Sequence, residues 1–460
     1  MRFATAVALT LCALAWRSPA SSSPLARASA LSESRYHVER HALGNGLVVL
    51  LHEDHSVPTV TFWQWFKVGS RNEHPGITGI SHVFEHMMFN GSQHVPPKEY
   101  DRRIESNGGA SNAFTDRDVT AYSEDIASDR LEVLFQLDSD RMRGLTLEPS
   151  VLASELQVVK EERRLRVDND IAGLLDEKLY GTAFQLSPYR WPVIGWKADL
   201  DRLQRQELLE YFRVHYAPNN CILVLTGDFE SKSALGMIQK YFGDIPSQPP
   251  APAPADSEPP QPGERRASVP YPSENAQLDI GYKAPSVRSE DVWALDMLSS
   301  ILSDGASSRL HRSLVYEKQI ALSVDTFFRP RLSPSLFEFY LEMKPGRSAA
   351  EGEEALDDVL DRLVREGPTD RELEKARNLL EAELVKSLKT NHGAGEQLGF
   401  FEAIYGSHRA MFSAADRYRA VTAQDCRRVA AQIFVPEHRT VVELAPVDAG
   451  GDSAATKAGK

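Results

Sequence analysis

The sequence predicts an α+β protein of two homologous domains, each a mostly antiparallel sheet covered by helices. Residues 246 to 262 hold eight prolines, which neither a helix nor a central strand accepts. They read as a semi-rigid linker, 246–264, between an N-terminal domain at 36–245 and a C-terminal domain at 265–447. The two halves end alike. In the first, a helical pattern leads through Tyr216-Ala217-Pro218-Asn219-Asn220 into the apolar run Cys221–Leu225. In the second, a helical pattern from Ala423 leads through Phe434-Val435-Pro436-Glu437-His438 into Thr440–Leu444. A helix, a proline turn and a terminal strand recur in the same order, as a duplication would leave them. Both strand and helix periodicities run through each half.

Composition bounds the function. The chain has 460 residues, 42% of them hydrophobic and 25% charged, enough to build large cores. Its net charge of -13 disfavours general binding to nucleic acid or anionic membranes. Three cysteines exclude a disulfide framework for a fold of this size. Arg2 is followed by an uncharged run, Phe3–Trp16, too short to span a bilayer but suited to a secretory signal. Small residues follow, and no acid appears before Glu33. Residues 1–30 are therefore expected to be a signal peptide, with export to the periplasm or beyond, and the mature chain to hold no transmembrane segment. A mitochondrial matrix address is the alternative, because the segment is also rich in serine and free of acid. The small, polar stretch 448–460 is expected to be a flexible tail.

Along the first domain, Gly44-Asn45-Gly46 between alternating apolar runs signals a hairpin. Thr59–Val68, β-branched and aromatic, is a strand. Leu152–Arg166 and Arg371–Ser387 are long amphipathic helices at comparable places in the two halves. Trp63, Trp65, Trp191 and Trp196 are expected in the core.

The stretch Gly79–Ser92 carries the chemistry. On a helix, Ile80, Val83, Phe84, Met87 and Met88 share one side, while His82, Glu85 and His86 share the other. Two imidazoles one turn apart can hold one metal ion, and the carboxylate between them lies over that ion without binding it. A merely solvated face would carry Lys, Arg or Gln. Asn90-Gly91 stops the helix. Two histidines leave a zinc site incomplete, so a third ligand is required, with a fourth position open to water. The helix after Pro149 offers Glu155, Glu161 and Glu162, and spacing alone does not choose among them.

His82-Val83-Phe84-Glu85-His86 resembles the inverted zinc motif of the pitrilysin/insulinase family, the inverzincin metallopeptidases. The resemblance extends through Gly69-Ser70-Arg71-Asn72-Glu73, Asn112-Ala113-Phe114-Thr115, the Glu155/Glu162 helix, Pro188-Tyr189-Arg190-Trp191-Pro192 and the two-half layout. The chain looks most like the short two-domain members, among them the β subunits of mitochondrial processing peptidase. The resemblance implies a clam-shell fold and one Zn2+ per chain. It implies that His82, His86 and Glu162 are metal ligands, with Glu155 behind them and Glu85 as the general base of a metalloendopeptidase. It also implies that Asn112 and Ala113 bind a peptide substrate as an added strand; taken alone, Asn112 reads as a turn residue. One departure stands out. Active relatives present an Arg and a Tyr from the second half, and the matching places here are Val315 and Leu322. Neither donates a hydrogen bond, so the chain is expected to be the zinc-bearing subunit of a homo- or heterodimer: either a paralogous partner supplies the Arg/Tyr pair, or a homodimer manages with zinc alone. The alternative is a catalytically silent assembly subunit of the same fold.

Overall fold

The computed structural model describes residues 36–254 and 257–446. Residues 1–30 and 448–460, expected to be leader and tail, lie outside them. The strands are β1 (Glu39–Ala42), β2 (Val48–Glu53), β3 (Thr59–Phe66), β4 (Ala110–Thr115), β5 (Thr120–Ala127), β6 (Cys221–Gly227), β7 (Arg265–Tyr271), β8 (Gln277–Ala284), β9 (Ala321–Phe328), β10 (Ser335–Met343) and β11 (Arg439–Pro446). They form two sheets, ordered β1-β2-β6-β3-β5-β4 and β7-β11-β8-β10-β9.

The sheets repeat one another. In each, the first and last strands of the repeat pair in parallel, β2 with β6 and β7 with β11. The remaining neighbours are antiparallel. Among the described residues only β1 is extra, and the β1–β2 hairpin turns at Gly46, whose φ of 85° suits glycine. The duplication extends to a helix that follows each long amphipathic helix. Asp170 caps the first by accepting from Gly173 N, and Thr390 caps the second by accepting from Gly393 N.

Those two helices are exchanged. Ile171–Ala183, from the first half, lies on β7, β8 and β11, whereas Asn391–Ile404, from the second half, lies on β3 and β6. No sequence signal marked the second of these as a helix, because Gly393, Gly395 and Gly399 weaken its helical propensity. The glycines serve packing instead. A Cβ on Gly395 would sit 2.5 Å from Trp63 Cδ1, and one on Gly399 would overlap the Trp65 indole. Trp63, Trp65 and Val119 thereby join Leu398 and Phe401 in one core that crosses between the halves.

A buried polar latch reinforces that core. Asp116, between β4 and β5, pairs with Arg331 at 2.5 Å and Arg329 at 2.7 Å, both between β9 and β10. Arg71 donates to Ser333 Oγ at 2.8 Å, and Tyr189 donates to Asp118 at 2.6 Å. The proline segment is fastened too. The Glu258 carboxylate accepts the N–H groups of Gln185, Leu186 and Ser187 at 2.9–3.0 Å. No helix among the described residues is long and apolar enough to cross a membrane.

Candidate metal centre and active site

The histidine helix, Ile80–Met87, buries Ile80, Val83, Phe84 and Met87; His82 and Glu85 line a groove, and His86 stands beside them. Its start is held by two carboxylates. Glu73 accepts from Gly79 N at 2.8 Å and Ser81 N at 2.9 Å, and Asp199 accepts from Gly76 N at 3.0 Å and Thr78 Oγ1 at 2.6 Å. Both oxygens of Glu73 take backbone N–H bonds, an arrangement that favours the carboxylate, while burial pushes its pKa up to about 8. Gly91, at φ 110°, turns the chain away after the helix.

The glutamate helix, Pro149–Arg163, crosses beside it. Glu162 Oε2 lies 3.6 Å from His82 Nε2 and 3.4 Å from His86 Nε2. One donor atom from each of these three residues lies within 4.8 Å of the others, and among the described residues no other group of His, Cys, Asp and Glu does this. Two donors about 2.0–2.1 Å from one tetrahedral ion sit roughly 3.3–3.4 Å apart, so the observed separations fit zinc. Glu155 Oε2 stands 3.4 Å from His86 Nδ1, on the side of the ring away from Glu162. Glu161, the third residue that spacing left open, pairs instead with Arg164 at 2.7 Å. Glu85 Oε2 is 4.0 Å from His82 Nε2, close enough to act over the donor set and outside it.

These groups perturb one another. Burial pulls the His82 ring down to about 4. Burial also works against the charged His86 ring, but its bond to Glu162 and the nearby Glu85 and Glu155 outweigh that and raise it. Its bond to His86, with the charges of His82 and Arg166, holds Glu162 below its ordinary value. Burial raises Glu85. A neutral His82 and an ionised Glu162 are the forms that bind a cation.

The groove over this cluster measures about 660 Å3 and is bordered by Asn112, Ala113, Phe114 and Thr115 on one side and Val193 and Ile194 on another. Asn112 and Ala113 lie on β4, the edge strand of the first sheet, so an extended peptide can pair there. The Ala113 N–H is held by Asn112 Oδ1 at 2.9 Å. The structure thus brings His82, Glu85, His86, Glu155 and Glu162 together and sets Asn112 and Ala113 along the same groove. Leu322, at the start of the second sheet's edge strand β9, is 46% exposed, and Val315 packs half-buried against the second core. Arg312 is committed to Glu317 at 2.7 Å. The sequence places Arg166 at the end of the helix Leu152–Arg166 but assigns it no role at the site. Arg166 lies one turn beyond Glu162 and binds its other oxygen at 2.9 Å, an i,i+4 pair that the spacing did contain.

A duplicated α+β fold that sets an inverted His-x-x-Glu-His helix against a glutamate from a second helix defines the inverzincin architecture. The chain belongs to peptidase family M16. Residues 48–196 match the family model described as Insulinase (Peptidase family M16), and residues 202–380 match that of the Peptidase M16 inactive domain. The three donors lie in the first of these stretches. The chain is 28% identical over 414 residues to the zinc protease PqqE of Helicobacter pylori, covering 89% of this chain and 93% of that one. It is 26% identical over 410 residues to the mitochondrial-processing peptidase subunit beta of Lentinula edodes, covering 85% and 86%. The crystal structure of a protease from Helicobacter pylori superposes with a TM-score of 0.86 at 28% identity, covering 89% of this chain and all of that one. The periplasmic protease PqqL from Escherichia coli shares the fold, with a TM-score of 0.73 at 18% identity, and this chain covers 48% of it.

Proposed function

We propose that this M16 member is a zinc metalloendopeptidase acting on unfolded peptides or presequences. The observation that carries this reading is the donor set of His82, His86 and Glu162 at zinc-like separations, with Glu85 beside it at the groove. His82 and His86 would hold one Zn2+ per chain through Nε2, and Glu162 through a carboxylate oxygen. Zinc in that place supplies Lewis acidity toward a peptide carbonyl and lowers the pKa of water. Glu155 fixes the His86 ring through Nδ1, and Arg166 orients the Glu162 carboxylate. Glu85 removes a proton from the attacking water and returns one to the leaving amine, a task its burial-raised pKa suits. The β4 edge aligns the peptide backbone. Asn112 Oδ1 must release the Ala113 N–H as a substrate strand adds.

Val315 and Leu322 offer no hydrogen bond to a developing oxyanion, and one missing donor of that kind costs about 2.7–4 kcal/mol in the transition state. We therefore assign this chain the zinc-bearing role in a heterodimer whose paralogous partner provides an Arg/Tyr pair, with a homodimer that works by zinc alone as the alternative. The uncharged run Phe3–Trp16 after Arg2 supports export as its destination. The same Val315 and Leu322 support a second reading, a silent assembly subunit. Zinc analysis with Glu85→Gln separates the two. A peptidase keeps its metal and loses turnover, whereas an assembly subunit shows no peptide hydrolysis in either form, alone or with its partner.

A further inference from the structure

The histidine and glutamate helices belong to distant parts of the chain, and a loop that neither contains touches both of them. The segment Pro192–Trp196 is wedged against the start of the histidine helix. Gly79, its N-cap residue at φ 89°, meets Gly195 at φ 83° backbone to backbone. A Cβ on Gly195 would stand 2.5 Å from Gly79 Cα, and one on Gly79 would stand 2.5 Å from Ile194 O. Trp196 N donates to Thr78 Oγ1 at 2.9 Å, which locks the same junction. From the other side, Arg163, next to Glu162 and 6% exposed, donates through Nη1 to Gly195 O at 2.7 Å. Its guanidinium is held in turn by Glu177 at 2.8 Å and Asp168 at 3.2 Å.

We propose that Gly79, Gly195 and Arg163 form a brace that sets the separation of the histidine and glutamate helices, and hence the metal affinity of the site. They are positioning residues, since none reaches the donor atoms. Metal–ligand bonds tolerate about ±0.2 Å. The brace permits no methyl group between the two backbones, so its thickness defines the distance across which Glu162 reaches His82 and His86. The inference rests on the zinc reading above.

The test uses the full chain and zinc itself. Zinc affinity is measured by competition with a chelator, the site geometry by the visible absorption of the Co2+ form, and stability by melting of the metal-free protein. Gly195→Ala and Arg163→Lys should each weaken zinc about tenfold to a hundredfold and alter the Co2+ spectrum. The double variant should lose less than the product of the two, because both open one brace. The control is Gly281→Ala in β8, where a Cβ would press Leu336 Cδ1 at 3.0 Å. It should leave the zinc affinity unchanged, whatever its effect on the melting temperature. If Gly195→Ala does not fold, Arg163→Lys carries the test, since it keeps a cation against Glu177 and Asp168. Wild-type affinity in Arg163→Lys, or an equal loss in Gly281→Ala, overturns the brace. Failure of the wild-type chain to take up zinc overturns the metallopeptidase reading itself.

Discussion

Glu155 Oε2 lies 3.4 Å from His86 Nδ1, while Nε2 of the same ring lies 3.4 Å from Glu162. One imidazole is thus gripped at both nitrogens by carboxylates two turns apart on one helix. The outer contact fixes the tautomer that leaves Nε2 free for a metal. Glu155→Gln should weaken zinc binding about tenfold to a hundredfold with the fold intact. Glu162→Ala should abolish stoichiometric binding, because it removes a ligand. Metal analysis after dialysis, with circular dichroism as the fold control, reads both.

The halves should separate in acid. Burial alone would raise Asp116, but the guanidinium groups of Arg331 and then Arg329 hold it well below the carboxylate range. Burial likewise opposes the ionised Glu402, yet His408 and Arg40 hold it down to about 2. Both folded values are depressed, so this stability is fully present above the unfolded values of 3.8 and 4.5 and is lost as the pH falls below them. Melting temperature measured from pH 7 to pH 3 should fall below about pH 4.5. Glu402→Gln should lower it at neutral pH and flatten the acid limb.

Breaking the latch by one partner should cost more than replacing both. Arg331→Met leaves buried Asp116 with Arg329 as its remaining ion-pair partner, and the loss of one member of a buried pair costs about 3–5 kcal/mol. The double change Arg331→Met with Asp116→Leu should recover part of that. Urea denaturation of the four combinations measures the coupling.

Helix exchange makes a steric prediction. Gly399→Leu would drive a side chain into the Trp65 indole, and overpacking of this kind costs about 1–3 kcal/mol. Trp65 fluorescence and thermal melting report it.

These predictions draw on features that the sequence displayed unequally. The histidine helix was legible because its 3.6-residue period separates Val83 and Phe84 from His82, Glu85 and His86 within one short stretch. The Gly44–Gly46 hairpin and the terminal strands at Cys221 and Thr440 were legible for the same local reason. The sheet order, the exchange of Ile171–Ala183 for Asn391–Ile404, and the pairing of Asp116 with Arg331 were not. They depend on contacts hundreds of residues apart, which periodicity does not encode. Asn391–Ile404 was hidden by its own glycines, whose purpose appears only when Trp63 and Trp65 lie beneath them. Glu162 stood apart from Glu155 and Glu161 only through the family resemblance, since all three share one helix and only the neighbouring imidazoles distinguish them.

If a paralogous partner supplies the Arg/Tyr pair, the chain should be slow alone. The purified chain should then hydrolyse an unfolded peptide far more slowly than a mixture with any chain that co-purifies with it, and equal rates would remove the assigned role of the Arg/Tyr donor.

The most direct measurement is the zinc content and peptide turnover of the wild-type chain beside Glu85→Gln, each assayed alone and with any chain that co-purifies. The account predicts one zinc per chain in both proteins, with turnover reduced about 10²–10⁴-fold in the variant. Zinc absent from the wild type, or turnover unchanged by Glu85→Gln, would contradict it.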